Sequence, residues 1–169
     1  MNSKCCIYID GANLHMRTKN DGLDIDLEKF YIYLKNKYRP AIIYYFLGFT
    51  KENEGLHEYL KRCGFTLVFR ESVNTGKYMK GNCDSEMVMY ICRDLYKNKN
   101  QEFVIITSDG DFACVVKEVI NENMKCKIIS PTVPDATSKL LRKSGGEMTY
   151  IKDIYQLIKR ETPDADETA

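Results

Sequence analysis

Aspartates follow or flank the apolar segments of this chain at points where a bound cation could be held. Asp10 ends the segment CIYID, Asp84 lies in KGNCDSEM, and Asp109 and Asp111 lie in FVIITSDGDF. In open parallel α/β sheets the ligand site is the crevice beyond the carboxyl ends of the strands, so these side chains can converge there. Several carboxylates held close together favour a hard divalent cation. The pattern therefore predicts a metal site.

Each aspartate taken alone has a simpler explanation. An Asp between a strand and a helix is a common N-cap that stabilises the helix by ~1 kcal/mol, and S-D-G-D is also ordinary turn chemistry. Caps tolerate Ser, Thr or Asn equally well, whereas three separate segments of this chain carry Asp at similar places. The convergence favours the metal site. Gly11 is expected to let the backbone turn sharply after Asp10.

Short apolar runs alternate with helical patterns along the chain, as in repeated βαβ units. Several of the apolar runs are continuous, which is typical of parallel strands covered by helices on both faces. The predicted strands are CCIYI, AIIYYFL, TLVF, FVIIT and KIIS, and the predicted helices span residues 26–37, 53–63, 85–97 and 112–122. A further helix is expected in PDATSKLLRKSGG, closed by Gly145 and Gly146, followed by a short strand and a final helix in MTYIKDIYQLIKR.

Composition limits the function classes. At 169 residues and 44% hydrophobic, the chain is long enough for one domain, expected over residues 1–160, with a disordered acidic tail at 161–169. A net charge of +1 argues against a strongly basic DNA-coating protein, so any contact with nucleic acid should be local. Seven cysteines without a C-x-x-C pair are expected to be core residues in a reducing compartment. No signal peptide or membrane-length apolar run is present, which predicts a cytoplasmic protein without a membrane partner.

The segments IDGANLH, KGNCDSEM and ITSDGDF resemble, in order, the three signature segments of the NYN domain family of PIN-like nucleases. The resemblance covers residues 4–151 and is closest to the LabA-like branch. It implies a Rossmann-like three-layer α/β sandwich with a mainly parallel central sheet, and a metal-dependent ribonuclease. The implied Mg²⁺ or Mn²⁺ ligands are Asp10, Asp84, Asp109 and Asp111. Asn13 and Ser108 match positions that help to hold the site or its water.

Basic side chains near these segments are candidates for binding an RNA backbone, single-stranded or structured. Lys80 lies in the second segment and Arg17 follows the first, while Lys139, Arg142 and Lys143 form a basic patch on one predicted helix. Tyr78 could stack on an exposed base. Solvent-exposed charge is the competing explanation for each cation. The sequence leaves open whether the protein forms a homodimer.

Other functions are less well supported. A catalytically silent RNA-binding or regulatory module could keep the acidic residues as a structural ion site. A haloacid dehalogenase-type phosphatase needs D-x-D in its first motif, but Ala12 stands two residues after Asp10. The dinucleotide and P-loop glycine motifs are absent. His15 lacks a nucleophile partner and is not predicted to be a general base, and His57 is expected at the surface of an amphipathic helix.

Overall fold

The computed structural model describes residues 4–70, 83–97 and 102–161, and within them the chain forms a six-stranded sheet in the order β3-β2-β1-β4-β5-β6. Every pairing between neighbouring strands is parallel. The predicted parallel α/β sheet is therefore confirmed. The strands are β1 (Cys5–Asp10), β2 (Ile42–Gly48), β3 (Thr66–Arg70), β4 (Glu102–Ile106), β5 (Lys125–Ser130) and β6 (Glu147–Tyr150).

Seven α-helices lie in the described residues: α1 (Gly11–Asn20), α2 (Leu27–Tyr38), α3 (Glu54–Cys63), α4 (Asp84–Lys97), α5 (Ala113–Asn121), α6 (Lys139–Arg142) and α7 (Ile151–Ile158). Helices α2 to α5, strand β6 and helix α7 agree with the pattern in the sequence. Helix α1 was not predicted because most of its residues are polar and Leu14 is its one large buried apolar side chain.

The helix predicted in PDATSKLLRKSGG is wrong in length, since α6 has only four residues. Pro134–Ala136 instead forms a 3-10 turn, and Thr137 that follows it is extended. The backbone N–H of Ser138 then donates to the carbonyl of Ser108 at 3.1 Å, so this part of the chain is tied to another segment. Gly145 does adopt the expected left-handed conformation, with φ +98°.

Helices cover both faces of the sheet, and the side chains of β1 alternate between them. Ile7 and Ile9 belong to a core with α1, α2, α3 and α7, whereas Cys6 and Tyr8 belong to a core with α4, α5 and α6. Central strand β4 is almost wholly buried on both faces, which explains its continuous apolar run. The molecule is thus the predicted three-layer sandwich.

The strand register brings the aspartate-bearing segments to one edge of the sheet. Strand β1 lies between β2 and β4, with Ile9 opposite Ile106 of β4. Asp10 follows Ile9 in the sequence, and Thr107 follows Ile106. Strand β1 is central and adjoins β4, so the Asp109 segment leaves the sheet beside Asp10.

Two surface assignments need correction. His57 is buried rather than exposed, with its ring between Phe49 and Phe69, because it lies three residues before Leu60 on the sheet-facing side of α3. Cys114 is exposed, although the other cysteines are buried or half-buried and all seven are free thiols.

Within the described ranges, no helix combines the length and apolar character that crossing a bilayer requires. Lys80, Tyr78 and residues 162–169 lie outside the described residues.

Candidate metal centre

Three of the four aspartates meet at the carboxyl edge of the sheet. Asp84 is the first residue of α4, and Asp109 and Asp111 lie in the turn that follows β4. One carboxylate oxygen from each of the three lies within 4.8 Å of the others. We call Asp84, Asp109 and Asp111 the acidic triad. Its geometry brings together residues that are remote in sequence, as the positions after parallel strands predict.

The sequence S-D-G-D folds so that its two carboxylates stand side by side. Asp109 has extended backbone dihedrals and caps a 3-10 turn over Gly110–Phe112, with its side chain accepting a hydrogen bond from the Asp111 N–H at 3.0 Å. Phe112 is fully buried and anchors the turn to the core. A Cβ atom at Gly110 would collide with the Ser138 hydroxyl, so glycine permits the close approach of α6.

Asp10 is held beside the acidic triad by two hydrogen bonds. It caps α1, where its Oδ1 accepts from the Asn13 N–H at 3.1 Å, and its Oδ2 accepts from the Thr107 hydroxyl at 3.0 Å. Burial raises the pKa of Asp10 to about 6, against the lowering effect of these two hydrogen bonds. The negative charges of Asp84 and Asp109 add to the rise. Asp10 thus shares the electrostatic field of the triad without belonging to the 4.8 Å set.

Gly11 serves a different purpose from the predicted one. It is the first residue of α1 and does not have a positive φ, so a sharp turn is not what it provides. A Cβ atom there would collide with the ring of Tyr45 and the carbonyl oxygen of Phe46. Glycine therefore allows the start of α1 to pack closely on β2, which sets the position of Asp10.

Asn13 and Ser108 form a buried brace between α1 and the segment after β4. The Asn13 Oδ1 accepts two hydrogen bonds, from the Ser108 N–H at 2.8 Å and from the Ser108 hydroxyl at 2.9 Å. Both side chains are more than nine-tenths buried, so breaking the brace would leave buried polar groups without a hydrogen-bond partner. Their contacts fit a role in holding the site rather than in contacting a cation.

Thr107 is a site residue that the sequence patterns did not identify. Its buried hydroxyl donates to Asp10 and accepts from the Asp109 N–H at 3.2 Å. The sequence places Thr107 at the end of the apolar run FVIIT, where a β-branched residue is expected for its strand propensity alone. Its position directly beside S-D-G-D is the only signal for a second role.

The predicted cationic residues that the structure describes lie on α1 and at α6. Arg17 lies on α1, and its Nε is buried without a hydrogen-bond partner in the described part of the chain. Lys139, Arg142 and Lys143 are exposed at α6, which packs on the Asp109–Asp111 turn. Lys80 lies outside the described residues.

The donor set fits a hard divalent cation. The acidic triad offers oxygen atoms only, which suits Mg²⁺ or Mn²⁺ better than zinc. In the described ranges, no Lys or Arg forms an ion pair with Asp109 or Asp111. A cation would therefore relieve the mutual repulsion of these carboxylates.

Comparisons with known proteins agree with this architecture. The family model described as the NYN domain matches residues 4–152. A crystal structure of a protein of unknown function from Vibrio parahaemolyticus superposes with a TM-score of 0.74 at 17% sequence identity, covering 90% of this chain and 95% of that one. At that identity the likeness is one of fold alone. No curated protein sequence matches the chain significantly.

Proposed function

This chain belongs to the NYN domain family of PIN-like folds, and from that premise we propose that it is a metal-dependent ribonuclease that hydrolyses RNA phosphodiester bonds. The observation that carries the proposal is the acidic triad, in which three carboxylates from two segments come within 4.8 Å of one another. The family supplies a nuclease-like fold, and the triad supplies the ligands that such chemistry needs.

The proposed division of labour follows from the contacts. The acidic triad would hold Mg²⁺ or Mn²⁺, with Asp10 completing the set from the β1 side. A bound cation supplies an activated water and neutralises charge on the scissile phosphate. Thr107 orients the Asp10 carboxylate, and the brace between Asn13 and Ser108 fixes the distance between α1 and the triad. With a pKa of about 6, Asp10 is mostly ionised at neutral pH and available as a ligand.

RNA is proposed as the substrate on the basis of charge around the triad. The exposed cations of α6 adjoin the turn that carries Asp109 and Asp111, and Arg17 carries a buried Nε without a partner among the described residues. Lys and Arg beside a hydrolytic centre can bind the phosphates that flank the scissile bond. Lys80 stays a predicted phosphate contact of the same kind. The LabA-like assignment and the cytoplasmic location also stay predictions.

The test is RNA cleavage by the purified protein in Mn²⁺, Mg²⁺ or chelator. We expect metal-dependent products from the wild-type protein, none from Asp109→Asn or Asp111→Asn, and wild-type cleavage by Asp153→Asn. Asp153 is an exposed carboxylate of α7 outside the triad, so it is a matched control for charge. Cleavage that persists in the triad variants would refute the site. RNA that is bound but never cut would favour a regulatory RNA-binding module.

A further inference from the structure

A cavity of about 480 Å³ lies between α1, the segment that leads into α2, and α3. Its wall is mostly apolar, and its rim carries both positively and negatively charged side chains. The wall residues include Leu14, Leu23, Ile25, Tyr45 and Leu56, and the rim includes His15, Lys19, Asp24 and Arg160. The size and the combination of apolar wall with a few polar groups are those of small-molecule sites.

The cavity lies along α1, the helix that Asp10 caps. Leu14 lies four residues after Asp10 on the same helix, a rise of about 6 Å along the axis. Tyr45 lines the cavity and also contacts the position of Gly11, directly after Asp10.

The charge at the rim suits a single phosphodiester. Arg160 pairs with Asp24 at 3.3 Å, so these two charges offset each other. Lys19 is exposed and forms no ion pair in the described ranges, which leaves one excess positive charge at the opening. His15 is also exposed at the rim, where an imidazole ring can stack on a base.

We infer that this cavity is a subsite for one nucleobase of an RNA strand whose neighbouring phosphate lies at the acidic triad, an inference that rests on the proposed function. The apolar wall receives the base, Lys19 contacts a phosphate, and His15 stacks at the opening. The subsite places an unpaired base beside the centre, so the substrate is single-stranded at the cut. A duplex would keep that base stacked and out of the cavity.

Leu56 provides a sharp test of the wall. It is a leucine of α3 that remains 42% exposed while lining the cavity, so changing it costs little of the core. Leu56→Asp would place a charge against the base. Leu157→Asp is the matched control, because Leu157 is 65% exposed on α7 and does not line this cavity.

Binding is measured by amide NMR shifts with uridine and adenosine 5′-monophosphates in chelator, with ribose 5-phosphate as the ligand without a base. We expect shifts at Leu14, Leu23 and Leu56, and affinity at least about tenfold weaker for ribose 5-phosphate, since a stacked base contributes substantially. Leu56→Asp should lose nucleotide binding and Leu157→Asp should keep it. Equal binding of ribose 5-phosphate, or unchanged binding in Leu56→Asp, would overturn the inference.

Cleavage assays separate this inference from the proposed function. With a single-stranded RNA, Leu56→Asp should raise KM about tenfold with little change in kcat, because the base contact is made before the chemical step. A wild-type protein that binds nucleotides in the cavity but cuts no RNA would refute the ribonuclease proposal alone. Cleavage with an unchanged KM in Leu56→Asp would refute the subsite alone.

Discussion

The hydroxyl of Thr107 joins Asp10 to the backbone of Asp109. It donates to the Asp10 carboxylate at 3.0 Å and accepts from the Asp109 N–H at 3.2 Å. One buried oxygen thereby sets the orientation of the carboxylate at the end of β1 and of the turn that follows β4. Groups that orient metal ligands in this way commonly affect metal affinity or activity by 10- to 100-fold.

Thr107→Val should lower cleavage by about 10- to 100-fold, because valine keeps the shape of the side chain and removes both hydrogen bonds. Loss of the hydrogen bond to Asp10 should also raise the pKa of that carboxyl and shift the acidic limb of the pH–rate profile upward. Rates at several pH values check both effects. Thr66→Val, at an exposed position of β3, is the control. A wild-type rate with an unshifted profile would contradict the role of Thr107.

Asp10→Asn should stabilise the metal-free protein while abolishing cleavage. Burial raises the pKa of Asp10 from 3.8 to about 6, so the folded state holds this proton more tightly than the unfolded state does. The wild type should therefore lose stability as pH rises from about 4 to about 6, with a cost at pH 7 of up to about 3 kcal/mol. Denaturant unfolding in chelator at pH 7 should show Asp10→Asn as the more stable protein, and equal or lower stability would contradict the electrostatic account.

Metal affinity should fall as the solution becomes acidic. Below pH 6 the proton on Asp10 competes with the cation, because the ligand must be ionised. Calorimetric titration with Mn²⁺ between pH 5 and 7.5 should show the weakest binding at pH 5. Asp10→Asn should bind more weakly at pH 7.5 and vary less with pH. An identical pH dependence in the two proteins would assign the titration to another group.

Asn13→Ala should destabilise the protein more than Ser108→Ala does. Asn13 accepts two hydrogen bonds through one oxygen, so its removal leaves both the N–H and the hydroxyl of Ser108 buried without a partner. Each unsatisfied group costs about 1–3 kcal/mol, whereas Ser108→Ala removes one donor and leaves the other in place. A double-mutant cycle by denaturant unfolding would measure the coupling, and additive losses would argue against the brace.

Removing positive charge from α6 should weaken RNA binding mainly at low salt. Lys139→Ala and Arg142→Ala should each reduce the slope of log affinity against log salt by somewhat less than one, as expected when one phosphate contact is lost from a single strand. Lys152→Ala, an exposed lysine of α7, is the control. Binding by fluorescence anisotropy in chelator avoids cleavage. A loss of affinity that does not change with salt would indicate altered folding instead.

The sequence predicts the sheet and the meeting of the aspartates well because both depend on regular patterns. Continuous apolar runs such as FVIIT identify strands covered on both faces, and strands of a parallel sheet end at one edge. That reasoning places Asp10 near Asp109, as the pairing of β1 with β4 confirms. The sequence pattern cannot give the distances between the carboxylates at this edge of the sheet. In the structure Asp10 is turned toward Thr107 and lies outside the acidic triad.

The remaining differences arise where tertiary contacts override local patterns. Helix α1 lacks an apolar stripe because it lies near the polar edge of the sheet, and α6 is short because Ser138 is bonded to Ser108. His57 is buried by aromatic neighbours on β3 and after β2, which no local window contains. Gly11 is needed because a Cβ atom at this position would collide with the Tyr45 ring, a contact that only the tertiary packing reveals.

The pairing of β1 with β4 also determines when the acidic edge of the sheet can assemble during synthesis. Asp10 and Thr107 are 97 residues apart in the chain, and the ladder that joins them closes one of the long loops of this topology. Contacts so distant in sequence form late and slow folding, because chain entropy must be lost first. A ribosome-bound chain that has not yet released β4 therefore lacks the assembled group of Asp84, Asp109 and Asp111.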